Sequence, residues 1–392
     1  MNSGMKAPVY FDYLATTPVD PRVAEAMGAC LTMEGTFGNP ASRSHRFGWE
    51  AEMAVETARQ QLAELINADM REIVWTSGAT ESDNLAIKGV FESALARGIE
   101  HPHVITSAIE HKAVLDSCKA IEARGASVTY LAPDVDGLVN PDSVRAAIGP
   151  ETCLISIMHA NNELGTVNPV AAIATIAKDA GVLMHIDAAQ SAGKIPLDVR
   201  ALGADLLSLS AHKFYGPKGI GALYVRRGVA SRLQAQTHGG GHERGLRAGT
   251  LATHQIVGVG CAAELAKQSL QEEVKRLREL RSVLWDGVSR IDGITLNGSA
   301  SERLPGALNF SVAGVEGEAL MLSLPEFALS TGSACNSASM EPSFVLRALG
   351  LPDALAHSSL RLCVGRFTDA ADVQLFVERL SEVVPRLRRV AA

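Results

Sequence analysis

The stretch "LSLSAHKFYGPKG" (residues 207–219) closes an apolar run on Ser210 and sets His212 and Lys213 side by side before Gly216, Pro217 and Gly219. Lysine is usually a solvated surface charge. Here Leu206, Leu207 and Leu209 read as a short buried strand bounded by turn residues, and a lysine at its edge loses solvation, which favours the neutral amine. A neutral amine is a nucleophile that condenses with an aldehyde, and the biological aldehyde that most often meets a lysine is pyridoxal phosphate. One lysine cannot establish a cofactor, so its other contacts must be found.

"MHIDAAQSAGK" supplies the sharpest of them. Asp187 ends a largely apolar strand, where an unpaired carboxylate is costly and needs a cation. A protonated pyridine nitrogen is such a cation, and keeping it charged makes the ring an electron sink. Gln190, three residues on, is within reach of the ring hydroxyl. In "WTSGATESDN", Gly78, Ala79 and Thr80 lie between a strand and a helix, where free backbone N–H groups can hold a phosphate. Taken alone, that turn is better read as an ordinary helix start with Thr80 as its N-cap or in its first turn. His111 of "SAIEHKAV" and Asn161 and Asn162 of "MHANNELG" also follow strands; singly they pass for a structural histidine and turn asparagines. The order of anion-binding turn, histidine, strand-end aspartate and strand-end lysine is far more specific than any member.

Short apolar runs alternate with amphipathic stretches from about residue 60 to 225 and must position these groups. Strands are expected at Ile73 to Thr76, Val104 to Ser107, Val128 to Leu131, Leu154 to His159, Leu183 to Asp187, Leu206 to Ser210 and Ala222 to Val225, with helices near 80–97, 112–124 and 169–180. Helices between strands imply a layered α/β domain with a mostly parallel sheet, whose ligands lie beyond the carboxyl ends of the strands. With 392 residues and 47% hydrophobic content, the chain can bury a large core and divides into two domains. A net charge of −7 gives no reason to expect nucleic acid as the main partner. Neither an export leader nor a membrane span is legible, so the protein reads as soluble and unexported. The cysteines at 30, 118, 153, 261, 335 and 363 show neither metal-ligand pairing nor disulfide density, which fits a reducing cytoplasm and no metal.

Long blocks carry a resemblance beyond these single signals: "FDYLATTPVDPRV", "GTFGNPASRSHRFG", "TSGATESDNLAIKG", "EHKAVLD", "NNELG", "DAAQSAGK", "HKFYGPKGIGALYVRR", "GGGHERGLRAGT", "STGSACNSAS" and "HSSLRLCVGRFT". Across nearly the whole chain the sequence resembles the fold-type I pyridoxal phosphate enzymes of the class V aminotransferase family. More narrowly, it is similar to the cysteine desulfurases of iron–sulfur cluster assembly, the IscS/NifS type. The resemblance implies that Lys213 carries the cofactor as an internal aldimine, that His111 stacks on the ring and moves protons, and that Asp187 and Gln190 bond the ring nitrogen and phenolic oxygen. Ala79, Thr80, Ser210 and His212 would hold the phosphate, with Thr250 of "RAGT" reaching it from the neighbouring subunit of a homodimer. Asn162 and Arg361 resemble the residues that bind the carboxylate of L-cysteine, for which a planar guanidinium is well shaped.

Cys335 stands among Gly332, Ser333, Ala334, Asn336 and Ser337, a composition that suggests a mobile loop, whereas the other five cysteines read as small buried hydrophobes. The resemblance makes Cys335 the nucleophile that takes sulfur and becomes a persulfide, for delivery to an acceptor protein such as an iron–sulfur scaffold or sulfur carrier. It also implies a large cofactor domain over residues 17–260 and a small α/β domain from residues 1–16 and 261–392, linked by a long helix near 251–290. Three departures from the family pattern stand out: Leu14 replaces a small polar residue, Asn336 replaces threonine or serine, and the end "RLRRVAA" lacks the tail by which such enzymes dock a scaffold. An aminotransferase or a selenocysteine lyase would share the lysine, aspartate and histidine without depending on Cys335, and a non-catalytic sulfur carrier would bind no cofactor.

Overall fold

In the computed structural model, which describes residues 7–331 and 342–391, a short strand β1 (Val9–Tyr10) and helices α1 (Pro21–Gly28) and α2 (Arg46–Leu65) precede an alternating run. That run is β2 (Ile73–Thr76), α3 (Ala79–Ala96), β3 (His103–Ser107), α4 (Lys112–Glu122), β4 (Ser127–Leu131), α5 (Pro141–Ala147), β5 (Thr152–Met158), α6 (Val170–Asp179), β6 (Leu183–Asp187), β7 (Leu206–Ser210) and β8 (Gly221–Val225). The seven strands form one sheet in the order β2-β8-β7-β6-β5-β3-β4. Only β8 runs against its neighbours, β2 and β7. Residues 211–220, which join β7 to β8, are too few for a helical crossover, so the chain turns back on itself. The mostly parallel sheet is the one expected, and β2, β6 and β7 have the expected bounds. The other strands differ by a residue or two, and His159 falls just outside β5.

Both faces of the sheet are covered, which explains why its strands read as continuous apolar runs. Leu183, Leu206 and Val104 pack under α3 and α4 with Leu85, Phe91 and Val114. Met184, Leu207 and Ile105 point the other way, toward Leu62 of α2 and Ile173 of α6. Along β6 the alternation of side chains places His185 and Asp187 on the α3 side.

Beyond β8, helix α7 (Thr253–Val288) spans 36 residues, about 54 Å at the rise of an α-helix. Its first half (Ile256, Val259, Ala263) belongs to the core beneath the large sheet, and its second half (Leu277, Leu280, Leu284) to a separate core. The second core is built on β9 (Ile294–Leu296), β10 (Ala307–Val312), α8 (Gly317–Leu322), β11 (Phe327–Ala328), α9 (Phe344–Ala348), α10 (Asp353–His357), β12 (Ser359–Cys363) and α11 (Ala370–Ala391). Strands β12, β10 and β9 form an antiparallel sheet, and β1 pairs in parallel with β11, carrying Phe11 into this core. Among the described residues no helix is long and apolar enough to cross a membrane.

Candidate active site

Strands β2, β3, β5, β6 and β7 all point their carboxyl ends the same way, and a cavity of about 710 Å³ opens beyond them. Ala79, Thr80, His111, Asn162, Asp187, Gln190, Ser210, His212, Lys213 and Arg361 all line it. Thr250 is exposed and does not line the cavity of its own chain. Cys335 lies outside the described residues. Ser330, close before that stretch, is on the cavity wall.

One end of the cavity is suited to an anion. Gly78 caps helix α3 with no side chain, so Thr80 takes the first-turn place of the two expected for it. The first N–H groups of the helix therefore face the cavity without a side-chain acceptor. Gly78 has φ +150°, a conformation open to glycine. A Cβ at Gly221, on the neighbouring strand, would stand 2.7 Å from the Gly78 Cα. Both glycines are needed to bring the turn this close to β8, beside Ser210. His212 is bonded through Nδ1 to Thr16 Oγ1 at 3.0 Å, and burial pulls its pKa down to about 4, so it is neutral at physiological pH.

The Lys213 amine donates to the carbonyls of Leu14 (2.7 Å) and Ala15 (2.8 Å), and Gln190 Nε2 donates to the same Leu14 carbonyl at 2.8 Å. The site thus uses the backbone of Leu14, while its side chain is buried beside Tyr13, Tyr215 and Leu304. Asp187 Oδ1 accepts the Ala189 N–H at 2.9 Å. Burial raises its pKa, opposed by that hydrogen bond and by His111 and Lys213 nearby. Burial likewise raises Asp83, with the charge of Asp187 adding to the effect. The neighbouring His185 bridges Ser156 and Ser208 at 2.8 and 2.9 Å. His111 starts α4, and its Nδ1 accepts the Ala113 N–H at 3.2 Å, which leaves the proton of the neutral ring on Nε2. Burial lowers its pKa, with Asp187 opposing and Lys213 reinforcing that shift.

At the other end, Arg361 of β12 donates from Nη1 to the Asn162 carbonyl (3.0 Å) and from Nη2 to Asp12 Oδ1 (2.8 Å). Its buried Nε has no hydrogen-bond partner among the described residues. Asp12 also accepts from Ser330 Oγ at 2.8 Å. Asp12, Ser330 and Lys218 line the cavity without having been singled out from the sequence. Asp12 lies in the recognisable block "FDYLATT", but only the fold shows that it meets Arg361, 349 residues away.

The donor set fits pyridoxal phosphate: an uncapped helix start with Ser210 and His212 for the phosphate, a buried carboxyl for a ring cation, and an amine between them. Among the other cysteines, burial pushes Cys118 up to about 12 and Cys153 and Cys363 up to about 11, which keeps these thiols protonated. Cys30 is buried as expected, whereas Cys261 is only partly so.

A family model described as aminotransferase class-V matches residues 9–376. The chain belongs to the class-V aminotransferase family. This membership implies pyridoxal phosphate as its cofactor. The chain is 58% identical to the cysteine desulfurase IscS of Azotobacter vinelandii over 387 residues, covering 99% of this chain and 95% of that one. It is 57% identical to the cysteine desulfurase IscS of Aeromonas hydrophila over the same shares of the two chains. Among solved structures, a NifS-like protein superposes with a TM-score of 0.89 at 37% identity, covering 97% of this chain and all of that one. SspA in complex with cysteine gives a TM-score of 0.81 at 40% identity over 92% of this chain and 100% of that one.

Proposed function

We infer that this chain is a pyridoxal phosphate-dependent cysteine desulfurase, converting L-cysteine to L-alanine and passing its sulfur to Cys335 as a persulfide. The observation that carries this reading is one cavity that joins Lys213, Asp187, His111 and Arg361 in a chain 58% identical to a cysteine desulfurase. The bound cofactor supplies an electron sink for the substrate's α-carbon. Lys213 would hold its aldehyde, Ala79, Thr80, Ser210 and His212 its phosphate, Asp187 its ring nitrogen and Gln190 its ring oxygen.

Arg361 and Asn162 would orient the substrate carboxylate. The Nε of Arg361, unpartnered among the described residues, is a spare donor for it, because Asp12 and the Asn162 carbonyl fix only the two terminal nitrogens. His111 gives a proton at Nε2; taking one up at Nδ1 requires release of the Ala113 cap. Transfer breaks the carbon–sulfur bond of cysteine as the Cys335 thiolate forms a sulfur–sulfur bond, and protonation of the carbon side leaves alanine.

The persulfide would serve an acceptor protein, with iron–sulfur cluster assembly as the destination, in a reducing cytoplasm. The active species would be a homodimer in which Thr250 completes the partner's phosphate site. An exposed apolar segment favours it: Leu31, Met33, Phe37, Phe47, Trp49 and Met53 are all solvent-facing. The two cores joined by α7 favour a division into a cofactor domain over residues 17–260 and a small domain from residues 1–16 and 261–392.

L-cysteine added to the purified protein should yield alanine in step with sulfide released by a thiol reductant, and peptide mass spectrometry should place the persulfide on Cys335. Cys335→Ser should keep the absorbance change on substrate addition and lose sulfur transfer. Full turnover in that variant would remove Cys335 from the reaction.

A further inference from the structure

Lys194 lies four residues after Gln190, and the two side chains meet. Lys194 Nζ donates to Gln190 Oε1 at 3.0 Å, with a longer contact of 3.5 Å to the Tyr13 carbonyl. No carboxylate among the described residues is within ion-pair distance of it. Burial pulls its amine down to about 8, with Cys363 and Glu273 opposing and Arg361 reinforcing that shift. The Lys194 side chain is only partly buried, and with no carboxylate beside it the Gln190 oxygen is the principal acceptor for its ammonium group.

The consequence falls on Gln190. The two ends of a carboxamide fill almost the same space, so packing alone does not decide which end faces the cavity. An ammonium group has three donors and no acceptor. Lys194 therefore holds the oxygen end and turns the nitrogen end toward the Leu14 carbonyl, on the side of the cavity that Gln190 lines. Nε2 carries two hydrogens, and the Leu14 carbonyl uses one.

We propose that Lys194 is a positioning residue that fixes the amide of Gln190 with its N–H toward the ring oxygen of the bound cofactor. The opposite orientation would set a carbonyl lone pair against an anionic oxygen. This inference rests on the reading of the cavity as a pyridoxal phosphate site. Lys194 does not line the cavity, and its one short side-chain contact is with Gln190, through which its positioning effect passes.

The test is a pH titration of the absorbance of the purified, cofactor-loaded protein without substrate, on the parent, Lys194→Met, Gln190→Leu and the double variant. A donor to the ring oxygen stabilises the more negative form of the chromophore, so losing it should move the titration midpoint upward, by about half a pH unit or more. Lys194→Met and Gln190→Leu should shift alike, and Lys194→Met should add nothing in the Gln190→Leu background. Lys194→Arg, which keeps a cationic donor, should return the midpoint toward the parent's. If Lys194→Met does not accumulate as folded protein, Lys194→Ala takes its place in the cycle. A midpoint equal to the parent's in Lys194→Met, or a shift of full size in the Gln190→Leu background, overturns the proposal. A parent protein that shows no cofactor absorbance overturns the cofactor reading itself, a different result that is visible before any variant is made.

Discussion

Lys213 is placed by backbone as well as by side chains: its amine meets the carbonyls of Leu14 and Ala15, which belong to a segment almost two hundred residues earlier. A carbonyl is present whatever the side chain. A leucine at position 14, where the family resemblance leads one to expect a small polar residue, therefore leaves these contacts in place, and its side chain goes into the cluster with Tyr13 and Tyr215. Asp187 shows the complementary principle, a carboxyl raised by burial that a ring cation would bring down. Lys213→Ala should accordingly still bind pyridoxal phosphate through the phosphate contacts and Asp187, while losing covalent attachment and steady-state turnover. Borohydride treatment followed by peptide mass spectrometry reads the attachment directly. Covalent label at any other lysine of the parent protein would show that Lys213 is not the attachment point.

At the scale of elements, Glu163 ties the turn after β5 to the start of α9. Its Oε2 accepts from Ser343 Oγ at 2.7 Å, and the same hydroxyl caps the N–H groups of Val345 and Leu346. Glu163 is 3% exposed, and burial raises its pKa from 4.5 to about 7, with Ser343 and Arg361 opposing. The folded protein thus holds this proton more tightly than the unfolded chain, so the associated stability is fully present below pH 4.5 and is lost as pH rises through about 7. Glu163→Gln mimics the protonated form and removes the titration. The variant should match the parent near pH 4.5 and gain on it with rising pH, by up to about 3 kcal/mol at pH 8. Urea unfolding across that range measures the difference, and a constant difference would mean that Glu163 is ionised in the fold.

Elements of this kind divide into those the sequence discloses and those it hides. Strands β6 and β7 are legible because they are short apolar runs ending in a polar residue, and burial on both faces is what such runs mean. The reversed direction of β8 is not legible, since its sequence is as apolar as that of its parallel neighbours and only the short link from β7 sets its sense. The site shows the same division. Lys213, Asp187 and His111 stand at strand ends or helix starts, where local pattern points to them. The Asp12–Arg361 contact arises from how distant segments pack, and neither residue type nor spacing announces it, whereas the Lys194–Gln190 contact is local, between residues four apart in one turn.

On the scale of the whole molecule, α7 joins the core beneath the large sheet to the core of the small one, and the groups that line the cavity come from both. Arg361 lies on a strand of the small sheet, and Lys213 follows a strand of the large one. Thr250 just precedes α7, exposed, at the end of a glycine-rich loop in which Glu243 and Arg244 hold positive φ. The buried two-pronged Arg59–Glu243 ion pair, with a further hydrogen bond to the carboxylate from the Trp75 N–H, fixes the loop's path at Glu243. An exposed threonine that follows an anchored loop is what a site shared between subunits requires. In a shared arrangement, a mixed dimer of Lys213→Ala and an impaired Thr250→Val subunit contains one site with Lys213 from the second chain and Thr250 from the first. That site is complete. Random exchange makes half the dimers mixed, each with one good site of two, so turnover should recover to about a quarter of the parent's. If Thr250 serves its own subunit, every site in the mixture lacks one of the two residues, and activity stays at the average of the separate variants after exchange has been verified by native mass spectrometry.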